Sequence, residues 1–279
     1  MPRTLKSLKT PLRYPGGKSR ALANLFRFLP DLSQAKEYRE PFLGGGSVAI
    51  EVTKRYPNLS IWVNDLYKPL YIFWTALRDD GDYLYDQLIQ LKQRHPDPGS
   101  AKQLFLDAKE KVNEDDIGYK DKAVAFYIIN KCSFSGLTES SSFSKQASES
   151  NFSIRGIENL KTYSILIKNW KITNNRYNDL LTDDESIVTY LDPPYEIKSN
   201  LYGKKGNMHK HFDHDGFATL CDRFDGHQLI SYNSSQLIRD RFKEWTVAEF
   251  AHTYTMRSVG CYNRVQAQRK ELVLFNYEV

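Results

Sequence analysis

Hydrophobic and polar positions along the chain fall into short apolar runs separated by longer amphipathic stretches, the pattern of strands alternating with helices. Residues 37–42 read as a strand running into the glycine cluster Gly44-Gly45-Gly46. Residues 47–55 read as a helix, with Val48, Ile50 and Val52 apolar and the Ser47 hydroxyl at its start. A second short strand over 60–63 is closed by Asn64-Asp65. Strand, helix and strand in that order form a βαβ unit and imply a parallel sheet. An N-terminal helix is expected over 20–29.

From residue 66 to about 163 the rhythm changes. Helical patterns run over 70–77, 83–92 and 122–130. Residues 133–153 then follow, rich in serine with scattered Phe134, Phe143 and Phe152; they are too polar for a core strand and read by composition as a loop. Strands return over 170–176, 187–191, 228–232 and 271–277, with helices over 215–224 and 235–245 between them. The expected organisation is one α/β domain, residues 1–65 and 164–279, split by an insertion of residues 66–163. No internal repeat is present.

A chain of 279 residues can hold one large or two unequal domains, so composition does not alter that picture. No apolar run approaches the roughly 20 residues that span a bilayer. Residues 1–10 carry Arg3, Lys6 and Lys9 with no apolar stretch behind them, so no secretory signal is read and a cytoplasmic place without membrane is expected. Cys132, Cys221 and Cys261 are far apart and form no Cys-x-x-Cys pair, which excludes a disulfide framework and a zinc ribbon. His209, His211 and His214 match no common zinc spacing, and no metal is expected. The net charge of +5 points towards a polyanionic partner, and Lys198, Lys204, Lys205 and Lys210 in one loop offer cations to a phosphate backbone.

Three motifs carry chemistry. The first, Glu40-Pro41-Phe42-Leu43-Gly44-Gly45-Gly46-Ser47, sits where a strand turns into a helix, so its glycines allow close backbone approach to a ligand at a helix N-terminus. Gly44, Gly46 and Ala49 match the relaxed dinucleotide fingerprint, and Asp65 follows at the spacing of a carboxylate that takes two ribose hydroxyls. This motif alone fits NAD, FAD and S-adenosylmethionine equally. The second, Arg13-Tyr14-Pro15-Gly16-Gly17-Lys18-Ser19, contains Gly-Lys-Ser but has Leu12 where a phosphate loop needs glycine. It reads as a turn capping a helix, or as a loop closing over a cofactor with an aromatic face from Tyr14 and a charge from Lys18.

The third is the most informative. The apolar strand of residues 187–191 runs directly into Asp192-Pro193-Pro194-Tyr195. Proline cannot continue the ladder and holds the preceding residue extended, so the strand stops at a rigid elbow on its C-terminal end, where open α/β sheets bind ligands. The elbow confines a carboxylate, a backbone carbonyl and an aromatic ring to one small volume. An exocyclic amine on a planar base needs that set, because its lone pair is delocalised into the ring. The Asp192 carboxylate and the Pro193 carbonyl can accept its two hydrogens and favour a pyramidal, nucleophilic nitrogen, while Tyr195 stacks on the base.

In this order the three motifs resemble the alpha group of amino-methyltransferases, the Dam-like DNA adenine-N6 methyltransferases. The likeness extends to Asn130-Lys131-x-x-Phe134-x-Gly136-Leu137 and to the closing Arg269-Lys270-Glu271-Leu272-Val273-Leu274. It implies a Rossmann-like methyltransferase sheet flanked by helices, interrupted by a smaller, mostly helical target-recognition domain with a hairpin. S-adenosylmethionine is the implied cofactor, bound by Tyr14, Lys18, Phe42, Gly44, Gly46, Asp65, Asp179 and Asp192. Tyr14 would line the methionine end, Asp65 the ribose and Asp179 the cofactor's adenine, while Asp192, Pro193, Pro194 and Tyr195 would hold the target adenine. The partner implied is double-stranded DNA, contacted through Lys131, Lys145, Arg155, Lys204 and Lys205, with residues 133–153 as the recognition hairpin. A monomer acting on DNA, paired in function with a restriction endonuclease, completes the expectation. The alternatives are cytosine-N4 or RNA-adenine methylation by the same amine chemistry, and an NAD-dependent oxidoreductase built on Gly44, Gly46, Ala49 and Asp65.

Overall fold

The computed structural model describes residues 8–134, 136, 141–195, 212–252 and 269–278. Five strands run parallel: β1 Glu37–Glu40, β2 Ser60–Asn64, β3 Lys171–Thr173, β4 Ile187–Leu191 and β5 His227–Asn233. Two more, β6 Thr246–His252 and β7 Arg269–Phe275, are antiparallel to each other, and β7 is antiparallel to β5. They form one sheet in the order β3-β2-β1-β4-β5-β7-β6. Every residue of β4 is buried, as its unbroken run Ile-Val-Thr-Tyr-Leu requires in a strand covered on both faces. The strand order reverses between β1 and β4, and the carboxyl ends of strands at such a point are where ligands bind.

Local chemistry sets where these strands stop. Expected over 37–42, β1 ends at Glu40 because Pro41 has no N–H for the ladder. β3 is shorter than the expected 170–176 because Asn64 draws the chain aside, its Oδ1 accepting from the Asn175 N–H at 2.7 Å. Helix α2, Ser47–Arg55, has the expected bounds, but its N-cap is Gly46 in the left-handed region and not a serine hydroxyl. Where a helix was expected over 20–29 the chain makes a 3-10 turn, Lys18–Arg20, and one turn of α1, Leu22–Leu25. Helices α9 His214–Cys221 and α10 Gln236–Arg241 are shorter than expected. Strand β6, absent from the sequence reading, begins where the 235–245 helix was to end.

Between β2 and β3 lie helices α3 Lys68–Asp79, α4 Gly81–Arg94, α5 Pro98–Lys111, α6 Tyr119–Cys132, α7 Lys145–Ser150 and α8 Ile154–Leu166. Three of these, α5, α7 and α8, escaped the sequence reading. Pro98-Gly99-Ser100 looks like a turn, yet the Asp97 carboxylate accepts from the Gly99 and Ser100 N–H groups and starts a helix with proline in its first turn. Within the serine-rich stretch, Ser144 accepts from the Ala147 N–H and Ser153 from the Gly156 N–H, so these serines cap helices. Of the expected hairpin, residues 135 and 137–140 lie outside the described residues; those described hold an antiparallel bridge, Ser133 to Phe143, followed by α7.

The inserted helices share the sheet's core. Phe73 and Trp74 of α3 pack on each other at 5.7 Å, Phe73 meets Phe126 of α6 at 5.7 Å, and Trp74 meets Trp170 at 5.7 Å just before β3. Tyr38 and Val63 of the sheet belong to the same buried cluster.

Candidate active site

The three sequence motifs converge on one cavity of about 460 Å³ outside the carboxyl ends of β1 and β4. Its walls come from Tyr14 to Lys18, from Glu40 to Val48, from Asn64 to Tyr67, from Arg176 to Asn178, and from Asp192 and Pro194.

The glycine loop is shaped by aromatic rings. Gly44 and Gly46 take φ of 49° and 66°, a region that disfavours side chains. A Cβ at Gly44 would lie 2.9 Å from the Tyr14 ring, and one at Gly46 would lie 2.7 Å from Trp74. The glycines thus admit two protein rings, beyond the ligand approach expected of them. The Trp74 indole N–H donates to the Gly44 carbonyl at 3.1 Å. Asp65 braces the loop from below, accepting from the Gly44 and Tyr67 N–H groups at 2.9 Å each. Burial pushes its pKa up to about 6, against the pull of those two bonds.

The elbow is held by charge. The Lys18 ammonium, 2% exposed, lies 2.8 and 2.7 Å from the two Asp192 oxygens and donates to the Gly16 carbonyl at 2.9 Å. Burial works to lower its pKa, but Asp192 and Glu271 outweigh it and raise the pKa above the ordinary lysine value. Asp192, with a side chain 21% exposed, also accepts from the Ser231 hydroxyl at 2.9 Å, and Ser231 in turn shares a 2.8 Å bond with Tyr190. Burial raises the Asp192 pKa and the Glu271 charge adds to it, while Lys18 opposes both. Glu40, buried at the end of β1, accepts from the Tyr38 hydroxyl at 2.9 Å. Burial pushes its pKa up to about 8; the Tyr38 bond opposes this and the Asp192 charge reinforces it. The Tyr195 hydroxyl donates to Glu271, its ring lies 5.6 Å from Tyr232, and the Lys18 ammonium sits 4.9 Å from its centre.

The cavity therefore gathers Tyr14, Lys18, Phe42, Gly44, Gly46, Asp65 and Asp192, with Pro194 on its wall, Pro193 buried behind and Tyr195 beside it. Phe42 stacks on Tyr177 at 5.4 Å. Asp179 is not brought in: it is exposed, and its neighbours Tyr177 and Asn178 line the cavity. The 3-10 turn Tyr177–Leu180 carries it away from the wall. Lys131 is also not where a DNA contact was expected. It is buried with its ammonium 5.2 Å from the Tyr127 ring, and burial beside Arg13 lowers its pKa to about 7. Lys145 and Arg155 are exposed in the first turns of α7 and α8. Lys204 and Lys205, with Lys198, Lys210, His209 and His211, lie outside the described residues.

Sequence reasoning missed Ser231, Glu40 and Glu271 as members of the site. The available signals were Glu40 at the head of the glycine motif and, for Glu271, its place in the closing segment of the resemblance and a charge opening the apolar run Leu272-Val273-Leu274-Phe275. Among the described residues no group of three or more His, Cys, Asp or Glu is suited to a metal, and no helix is long and apolar enough to cross a membrane.

Several known proteins resemble this chain in sequence. The family model of the D12 class N6 adenine-specific DNA methyltransferases matches residues 14–256. The chain is 28% identical over 202 residues to the type II methyltransferase M.MjaIII of Methanocaldococcus jannaschii, across 68% of this chain and 70% of that protein. It is 27% identical over 202 residues to the DNA N-6-adenine-methyltransferase of Escherichia phage P1, across 68% of this chain and 24% of that one. A DNA adenine methylase of Vibrio cholerae is 27% identical over 135 residues, across 48% of this chain and 44% of its own. The seven-stranded sheet flanked by helices fits the Rossmann-like arrangement of methyltransferases.

Proposed function

The chain belongs to the D12 class of N6 adenine-specific DNA methyltransferases, and from that premise we propose that it methylates the N6 amine of an adenine flipped out of duplex DNA, using S-adenosylmethionine. The observation that carries the reading is the state of the Asp192 carboxylate. Its Oδ1 accepts from both Lys18 and Ser231, whereas among the described residues Oδ2 accepts from Lys18 alone. One acceptor direction on Oδ2 remains for an amine hydrogen. The Pro193 carbonyl takes the second hydrogen, and the Tyr195 ring stacks on the base for ~1–3 kcal/mol. Lys18 and Ser231 fix the Asp192 carboxylate before the base arrives, so catalysis is positioning and preorganised electrostatics.

The cavity suits the cofactor. When bound, S-adenosylmethionine supplies an electrophilic sulfonium methyl. Asp65 keeps acceptor capacity beyond its two loop bonds for ribose hydroxyls. The stacked Phe42 and Tyr177 rings give a planar, apolar wall for an adenine, and Tyr14 packs on Gly44 and Gly45 beside the opposite end. Residues 66–163 form the target-recognition part and residues 1–65 and 164–279 the catalytic part, with exposed Lys145 and Arg155 contacting phosphates.

The test is transfer of labelled methyl to an adenine-containing duplex, to a matched duplex lacking adenine, and to RNA. Label in duplex adenine is expected. Label in cytosine or RNA instead would assign the same amine chemistry to a different base. Asp192→Ala is expected to slow transfer by about 10²–10³ while cofactor still binds; full activity in that variant removes Asp192 from its role.

A further inference from the structure

Strand β7 contributes a side chain to the site to which the sequence reading gave no role. Glu271 is 0% exposed, and it lies opposite Asn233 of β5 in the antiparallel ladder. β4 flanks β5 on its other side, so Asp192, Ser231 and Glu271 arrive from adjacent strands at one sheet edge. Glu271 Oε1 meets two partners at once. The Tyr195 hydroxyl donates to it, and the Lys18 ammonium stands 3.4 Å away. Lys18 already has a full partner in Asp192, at 2.7 Å. A second buried carboxylate therefore leaves the cluster with two negative charges against one positive, an arrangement that burial disfavours.

The proposed reaction makes use of that imbalance. The amine lone pair forms the N–CH₃ bond while the S–CH₃ electron pair returns to sulfur, so positive charge leaves sulfur and arrives at nitrogen. One N–H proton then departs to water. A site net negative beside Asp192 favours this arrival, and one already neutralised by Lys18 would not. We infer that Glu271 is a positioning residue for methyl transfer, holding Tyr195 and Lys18 in place around Asp192 and keeping the cluster net negative where the amine becomes cationic. The inference rests on the proposed adenine-N6 reading.

Glu271→Gln tests it in the full chain, since the amide keeps the shape and can still accept from Tyr195 but loses the charge. Single-turnover transfer to an adenine duplex is expected to slow about 10- to 100-fold, the scale of loss seen when the outer partners of metal ligands are changed. Cofactor affinity is expected to hold, and the melting temperature to hold or rise, because a net buried charge has been removed. The acid limb of the rate should move to lower pH. Asp192 is faced by Lys18, Glu271, Glu40, Tyr190 and Ser231, and loss of the Glu271 charge eases its ionisation. Glu271→Asp keeps the charge and should recover part of the lost rate.

A wild-type rate in Glu271→Gln, or a loss that follows melting temperature with an unmoved acid limb, overturns the inference. If Glu271→Gln does not fold, Tyr195→Phe removes the bond and keeps the ring; an unchanged transfer rate there overturns it equally. Failure of the wild-type chain to methylate adenine at all would instead overturn the reading on which the inference rests.

Discussion

The glycine loop and the proline elbow line one cavity, yet they are held in place by different forces. The loop is clasped by two aromatic rings, Tyr14 against Gly44 and Trp74 against Gly46, with an indole N–H bond to the Gly44 carbonyl and one carboxylate, Asp65, accepting from the Gly44 N–H. The elbow is fixed by a buried ammonium between two carboxylates, with a serine hydroxyl closing the set. Packing constrains shape whatever the pH or salt. Buried charge constrains orientation only while each partner keeps its proton state. The half of the cavity that would seat a cofactor is thus set chiefly by volume, with Asp65 its one titratable brace, and the half that would act on an amine is set by electrostatics.

The largest loss of stability is expected on the charged side. Lys18→Met leaves Asp192 and Glu271 buried without a cation, and should cost about 3–5 kcal/mol in denaturant unfolding, recovered in part as pH falls and the carboxyls take up protons. On the packed side, Gly46→Ala combines a strained φ of 66° with a Cβ 2.7 Å from Trp74. About 1–3 kcal/mol of stability should be lost, and unlike Lys18→Met the loss should not vary with pH. A pH-dependent recovery in Gly46→Ala would erase the distinction between the two halves.

Glu40 belongs to the glycine-loop segment by sequence but to the charged half by environment. Its pKa is raised from 4.5 unfolded to about 8 folded, so the folded chain binds the extra proton. Stability from this group is fully present below about 4.5 and is lost as pH rises towards 8. Thermal unfolding measured across that window should show the slope, and Glu40→Gln should flatten it. The smallest effect concerns neither half. Arg155→Ala should weaken DNA binding nearly equally for all sequences and reduce the slope of log K against log salt by about 1.

What was legible in the sequence follows the range of the contacts that fix each element. α2 and β4 were read with their observed bounds because each is fixed by its own apolar pattern and by the glycine or proline beside it. Asp192, Asp65 and Tyr14 were expected beside one another, and line one cavity, because each sits at a strand end or turn. Helices α7 and α8 were not read, since their serines look like loop composition until Ser144 and Ser153 are seen accepting from N–H groups three residues on. Lys131 was misplaced because a lysine within an amphipathic helix gives no sign of which ring it will lie against. Glu271 escaped because its partners, Lys18 and Tyr195, are distant in sequence and reach it only through the β5–β7 register.

Gly46 and Trp74 share a single volume, since the space a side chain would take at one position is already filled by the indole at the other. The two positions are therefore not independent heritable choices. A lineage that enlarges residue 46 must first shrink residue 74, and through Trp74 the same trade reaches Trp170 at the foot of β3. Divergence among related chains should then move these three positions together, in an order set by steric room.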